Sequence, residues 1–130
     1  MRILVDTNIL FSALLWPNSK PSFVLWDIIN HHELVFCTQT IDEIREVISK
    51  KAPSRTAALE SFLAELSYEL IPAVSQTQNV IRDETDQPII NAAIIYDVDL
   101  IITGDKDFLS LDIKRPKCLN AAQYHTMYMS

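Results

Sequence analysis

The chain opens with Met1-Arg-Ile-Leu-Val-Asp-Thr-Asn-Ile-Leu10, MRILVDTNIL. Ile3, Leu4 and Val5 have the side chains of a buried strand, and the run predicts a strand over residues 2–6. Asp6 and Asn8 then interrupt an apolar stretch that resumes at Ile9, Leu10 and Phe11. From about Thr7 to Leu15 the pattern fits a helix, closed by Trp16-Pro17-Asn18. A carboxylate at that junction stands at the rim of the core, where it can cap the helix or serve chemistry.

The rest of the chain repeats this alternation. Helical spacing predicts helices over 22–32, 40–50 and 87–97, with another starting at Pro53-Ser54. Short apolar runs predict strands at 34–37, 69–71, 99–103 and 117–120, while 73–86 is polar and reads as a loop. A turn at Gly104, a helical turn over 106–111 and a terminal helix through Tyr124 and Met127 complete the pattern. Such alternation implies the α/β class: a three-layer α/β/α sandwich around a central, mostly parallel sheet of about five strands. At 130 residues, one domain over 1–130 is expected. In open parallel sheets ligands bind at the carboxyl ends of the strands, where strand order reverses. Asp6 and Asp105, far apart in sequence, can therefore meet at one sheet edge.

Composition removes several function classes. The only glycine is Gly104, so the glycine-rich phosphate loops of dinucleotide and P-loop proteins are excluded, and no Gly-x-Ser-x-Gly elbow exists. Apolar runs are short and broken by polar residues, which argues against a membrane span or a leader. Cys37 and Cys118 lack metal-type spacing and read as reduced residues of a cytoplasmic protein. The net charge of −6 opposes a nucleic-acid partner at first sight. Two divalent cations gathered at one acidic site would leave about −2.

Four places set a carboxylate at the mouth of an element: Asp6; Glu43 in TQTIDEIREV; Asp86 with Asp83 in RDETDQPII; and Asp105 with Asp107 in LIITGDKDFL. Hard divalent ions take oxygen ligands, and an acid cluster can hold two such ions for phosphodiester hydrolysis. Each acid also has a plain structural reading. Asp6 and Asp86 can cap helices, Thr40 and Glu43 fit a capping box, and Asp105 with Asp107 suit a turn. Glu43 lies roughly 110° from the centre of its helix's apolar stripe, which suits both the core's rim and solvent.

In this order and spacing, ILVDTNIL, IDEIREVI, RDETDQPIINAAI and DLIITGDKDFL resemble the PIN-domain nucleases, and most of all the small prokaryotic VapC-like toxins of toxin–antitoxin pairs. The resemblance spans nearly the whole chain. It implies a PIN-like fold and a metal-dependent endoribonuclease using Mg2+ or Mn2+. By position, Asp6, Glu43, Asp86 and Asp105 match the family's acidic quartet, Asn8 and Thr103 its polar companions, and Asp107 an auxiliary acid. The resemblance also implies an RNA substrate, a small antitoxin partner and a homodimer. Two departures affect the 83–87 loop: Glu84 stands where many relatives have proline, and Gln87 where another acid is frequent.

Candidate RNA contacts are Arg82 and Lys106; the runs SKKAPSR and KRPK supply further cations that also fit a solvated face. His31 and His32 end a helix and suit its dipole. Phe11, Trp16, Phe23 and Trp26 are expected in the core, with a dimer or antitoxin surface as the alternative. Two competing functions remain. A haloacid-dehalogenase-like phosphatase also places an Asp after its first strand, but usually sets an acid two residues later, where this chain has Asn8. A catalytically silent PIN-fold binding module would keep the acids without cutting.

Overall fold

A computed structural model describes residues 1–74 and 87–129. Five strands form one sheet: β1 (Arg2–Val5), β2 (Glu33–Cys37), β3 (Glu69–Ile71), β4 (Leu100–Ile102) and β5 (Lys117–Leu119). Their order is β3-β2-β1-β4-β5, and every neighbouring pair is parallel. The chain starts in the middle, winds outward through β2 and β3, then returns to the other side of β1. Strand order thus reverses between β1 and β4, where Ile3, Leu4 and Val5 pair with Leu100, Ile101 and Ile102. One residue further on, Asp6 and Thr103 leave the sheet side by side, with the Asp6 amide donating to the Ile102 carbonyl at 2.9 Å.

The described helices are α1 (Thr7–Leu15), α2 (Lys20–His31), α3 (Thr38–Lys51), α4 (Thr56–Glu65), α5 (Gln87–Ile95), α6 (Lys106–Leu109) and α7 (Ala121–Tyr128). Alternation along β1 sends Ile3 and Val5 to one face and Leu4 to the other. The first face packs with Leu10, Leu25, Ile28, Ile44, Leu59 and Tyr124, from α1, α2, α3, α4 and α7. The second packs with Ile89, Ile90, Ala93 and Phe108, from α5 and α6. Both faces are covered, as a fully parallel sheet requires. Ile3, Leu4 and Val5 are completely buried, each stabilising the fold by roughly 1.5–3 kcal/mol. None of the helices among the described residues is long and apolar enough to cross a membrane.

Three helix starts differ from expectation: a 3-10 turn occupies Pro53–Arg55, so α4 begins at Thr56 rather than at Pro53-Ser54. Helix α2 begins at Lys20 because the Ser19 hydroxyl accepts the Ser22 amide, with Pro21 tolerated in the first turn. Helix α3 follows β2 without a linker, capped by Cys37, so Thr40 falls inside the helix and is fully buried.

Several residues expected in the core are outside it. Trp16, Phe23 and Trp26 are about half exposed, at 57%, 49% and 49%. Val24, Leu25 and Ile28 claim the inward face of α2, which turns Phe23 and Trp26 outward. Phe11 is partly buried, with its ring edge-on to Trp16 at 6.4 Å, and Trp26 meets Phe62 in the same manner at 6.2 Å. Ile94, which helical spacing within the 87–97 run would place beside Ile90 on the buried stripe of α5, is also exposed, because Ile89, Ile90 and Ala93 fill that stripe.

Candidate active site

Asp6 both ends β1 and caps α1. Its Oδ1 accepts the Thr7 amide at 2.8 Å, and its Oδ2 accepts the Thr103 hydroxyl at 2.8 Å. The residue is buried. Burial is the main influence raising its carboxyl above the usual range; the bonds from Thr103 and Thr7 pull it back, and the nearby charges of Glu43 and Asp105 push it up.

Thr103 serves both strand ends. Its Oγ1 donates to Asp6 and accepts the Asp105 amide at 3.0 Å. Asp105 caps α6, with Oδ1 accepting the Asp107 amide at 2.8 Å. Asp105 and Asp107 are half-buried, while Lys106 between them is exposed. Gly104 has no positive φ and open space around it, so the turn places no steric demand for glycine.

Glu43 reaches the same edge from the second turn of α3. Its Oε2 accepts the Thr7 hydroxyl at 3.0 Å and its Oε1 the Gln39 amide at 2.9 Å. The capping box expected from Thr40 and Glu43 does not form. With the helix starting at Thr38, Glu43 lies past the turn whose amides need capping. Among the described residues, the buried Thr40 hydroxyl has no hydrogen-bond partner.

The structure therefore brings Asp6, Glu43, Thr103 and Asp105 into one hydrogen-bonded set. Asn8 is exposed on α1. Asp86, Asp83, Arg82 and Glu84 lie outside the described residues. Gln87, which opens α5, is buried; its amide donates to Asn91 Oδ1 at 2.8 Å, and Asn91 donates to the Val74 carbonyl at 2.7 Å. Sequence reasoning missed Thr7 and Gln39. Gln39 stands four residues before Glu43, a helical spacing that becomes visible once α3 starts at Thr38.

The basic runs are partly committed elsewhere. Arg115 pairs with Asp99 at 2.6 Å and Asp97 at 3.1 Å, and Lys50 with Glu46 at 2.7 Å. His31 binds Asp27 at 3.0 Å, and His32 lies beside the amino terminus.

Among the described residues, no three His, Cys, Asp or Glu side chains form a closed metal-ligand group. The donor set nonetheless suits a hard divalent cation. Among the described residues, the Asp6 and Glu43 carboxylates are held by neutral donors rather than by lysine or arginine, so these bonds orient them without cancelling their charge. Mg2+ commonly takes only one or two carboxylates, completing its shell with water and substrate phosphate.

Fold and site together define an α/β domain with an acidic cluster at the reversal point of a parallel sheet. The family model for the PIN domain matches residues 2–107. An uncharacterised protein of Methanocaldococcus jannaschii, MJ1680, is 32% identical over 119 residues, covering 85% of this chain and 75% of that protein. This chain belongs to the PIN-domain family. A chain of VapBC2 from Rickettsia felis, crystallised with a DNA fragment from its promoter, shares the fold: TM-score 0.67 and 18% identity, covering 92% of this chain and 98% of that one. The phosphatase alternative finds no support in these matches.

Proposed function

We propose that this protein is a metal-dependent endoribonuclease and the toxin component of a toxin–antitoxin pair, acting in the cytoplasm. The observation that carries this reading is the cluster itself. Asp6, Glu43 and Asp105 are gathered at the switch point, tied to one another through neutral donors and, among the described residues, paired with no arginine or lysine. Asp6 and Asp105 would hold Mg2+ or Mn2+, aided by Glu43 and Asp86. When bound, such an ion supplies a Lewis acid for the phosphoryl oxygen and an acidified water.

The chain's own residues set the geometry. Thr103 fixes Asp6 and the Asp105 backbone together, so neither acid retreats from the other's charge. Burial of Asp6 excludes water from one side of the site. Lys106, exposed beside Asp105, offers a charge to the RNA phosphate. Products with 3′-hydroxyl and 5′-phosphate ends follow from the family resemblance. The likeness to VapBC2 supports an antitoxin partner, and the exposed Trp16, Phe23 and Trp26 offer apolar surface for that partner or a second copy.

The test is Mn2+-dependent cleavage of single-stranded RNA by the wild type, Asp6→Asn and Asp105→Asn. Cleavage by the wild type that chelator stops and both variants lose supports the proposal. Unimpaired variants would remove the site assignment. RNA binding without cleavage by the wild type would identify a binding module instead.

A further inference from the structure

We infer that Thr7 and Gln39 are positioning residues that lock the Glu43 carboxylate beside Asp6 before any ion arrives. The inference rests on the metal-site reading above and assigns roles to two residues that reading does not require.

Glu43 needs such help. Its side chain is long and half-exposed, and ordering it costs rotamer freedom. It also approaches Asp6 closely enough for the two charges to repel. An unrestrained glutamate would swing into solvent. Instead each of its oxygens is held by a separate donor, Thr7 Oγ1 at 3.0 Å and Gln39 Nε2 at 2.9 Å. The donors arrive from different directions, one from α1 and one from the preceding turn of α3, and two such bonds fix the plane of the carboxylate.

Thr7 is the stronger anchor. Its amide donates to Asp6 Oδ1 while its hydroxyl donates to Glu43 Oε2, so one residue sets the relation between two acids. It is buried, and its β-branched side chain has few rotamers. Both donors are neutral. They orient Glu43 without cancelling its charge, as an arginine or lysine would, and each oxygen keeps a lone pair for a further ligand. Pre-ordering of this kind by outer-shell partners is typically worth 10–100-fold in metal affinity.

The experiment is calorimetric Mn2+ titration of the full chain, with unfolding curves to confirm that each variant is folded. Thr7→Val keeps the shape and the backbone bond to Asp6 but removes the hydroxyl; it should weaken Mn2+ binding about 10–100-fold. Thr7→Ser restores the hydroxyl and should stay within about threefold of the wild type, and Gln39→Leu should fall between the two. In a Glu43→Gln background, Thr7→Val should cost nothing further, because the two residues act through one contact. If Thr7→Val does not fold, Gln39→Leu carries the test from the half-exposed side. Wild-type affinity in Thr7→Val and Gln39→Leu, with Glu43→Gln and Asp6→Asn weakened, would overturn the positioning role and leave the metal site standing. Equal binding by wild type, Glu43→Gln and Asp6→Asn, or none by the wild type, would overturn the metal site and the positioning role with it.

Discussion

The two ends of the sheet treat their carboxylates in opposite ways. At the amino end, acids meet arginines. Arg2 pairs with Glu33 at 3.7 Å and with Glu69, while Arg115 pairs with Asp97 and Asp99. Asp99 also accepts the Arg2 amide at 2.8 Å; that bond first, and then the Arg115 guanidinium, holds its carboxyl below the ordinary range. At the carboxyl end, among the described residues, Asp6, Glu43 and Asp105 meet threonine, glutamine and backbone donors and no arginine or lysine. There the Asp6 carboxyl is raised, chiefly by burial. An acid matched by arginine has its charge already answered and contributes to the fold. An acid ordered by neutral groups keeps its charge and stores a cost that a bound cation removes.

Breaking the carboxyl end should have the largest effect. Asp105→Asn should reduce Mn2+-dependent RNA cleavage to background in a single-turnover assay, with the far-ultraviolet dichroism spectrum unchanged. Thr103→Val comes next. It strips Asp6 of a donor and leaves the Asp105 amide unpaired, so Mn2+ affinity should fall about 10–100-fold. Chemical denaturation should show a stability loss of about 1–3 kcal/mol.

The amino end should respond through stability alone. Asp99→Asn should cost about 1 kcal/mol at neutral pH and leave Mn2+ affinity intact. The sign of its pH dependence follows from a lowered carboxyl. The unfolded chain binds more protons, so this stabilisation is present above the unfolded value and fades as pH falls through the folded one. The gap between Asp99→Asn and wild type should therefore close on acidification below about pH 4. Lys106→Ala should give the smallest change. The salt dependence of RNA binding should flatten by about one phosphate contact, a slope change of about 0.7 for a single strand, with metal affinity untouched.

Much of this layout was legible in the sequence. Ile3 to Val5, the 99–103 run and the acids beside them sufficed to predict a parallel sheet with Asp6 and Asp105 at one edge, because strand period and strand–helix alternation are local signals. The start of α3 was less visible. Thr40 and Glu43 imitate a capping box, while the real cap is Cys37, whose side chain makes no capping bond. That two-residue shift hid the Gln39–Glu43 pairing. Thr7 was hidden differently: its partner Glu43 comes from another element, a contact that only the fold creates. The outward turn of Phe23 and Trp26 was missed because a helix as apolar as α2 offers two stripes, and the sheet takes only one. Asp86 and Asp83 lie outside the described residues, so their place in the quartet rests on the sequence resemblance.

The contrast between the two ends is tested most directly by thermal unfolding of wild type and Asp6→Asn at neutral pH, with and without Mn2+. The Asp6 carboxyl is raised in the fold, so the folded chain binds more protons and its charge lowers stability as pH rises past the unfolded value. Asparagine still caps the helix without the buried charge. The account predicts that metal-free Asp6→Asn melts above the metal-free wild type, and that Mn2+ raises the wild-type melting temperature while leaving the variant's unmoved. A variant less stable than the wild type without metal, or an equal Mn2+ response in both proteins, would contradict it.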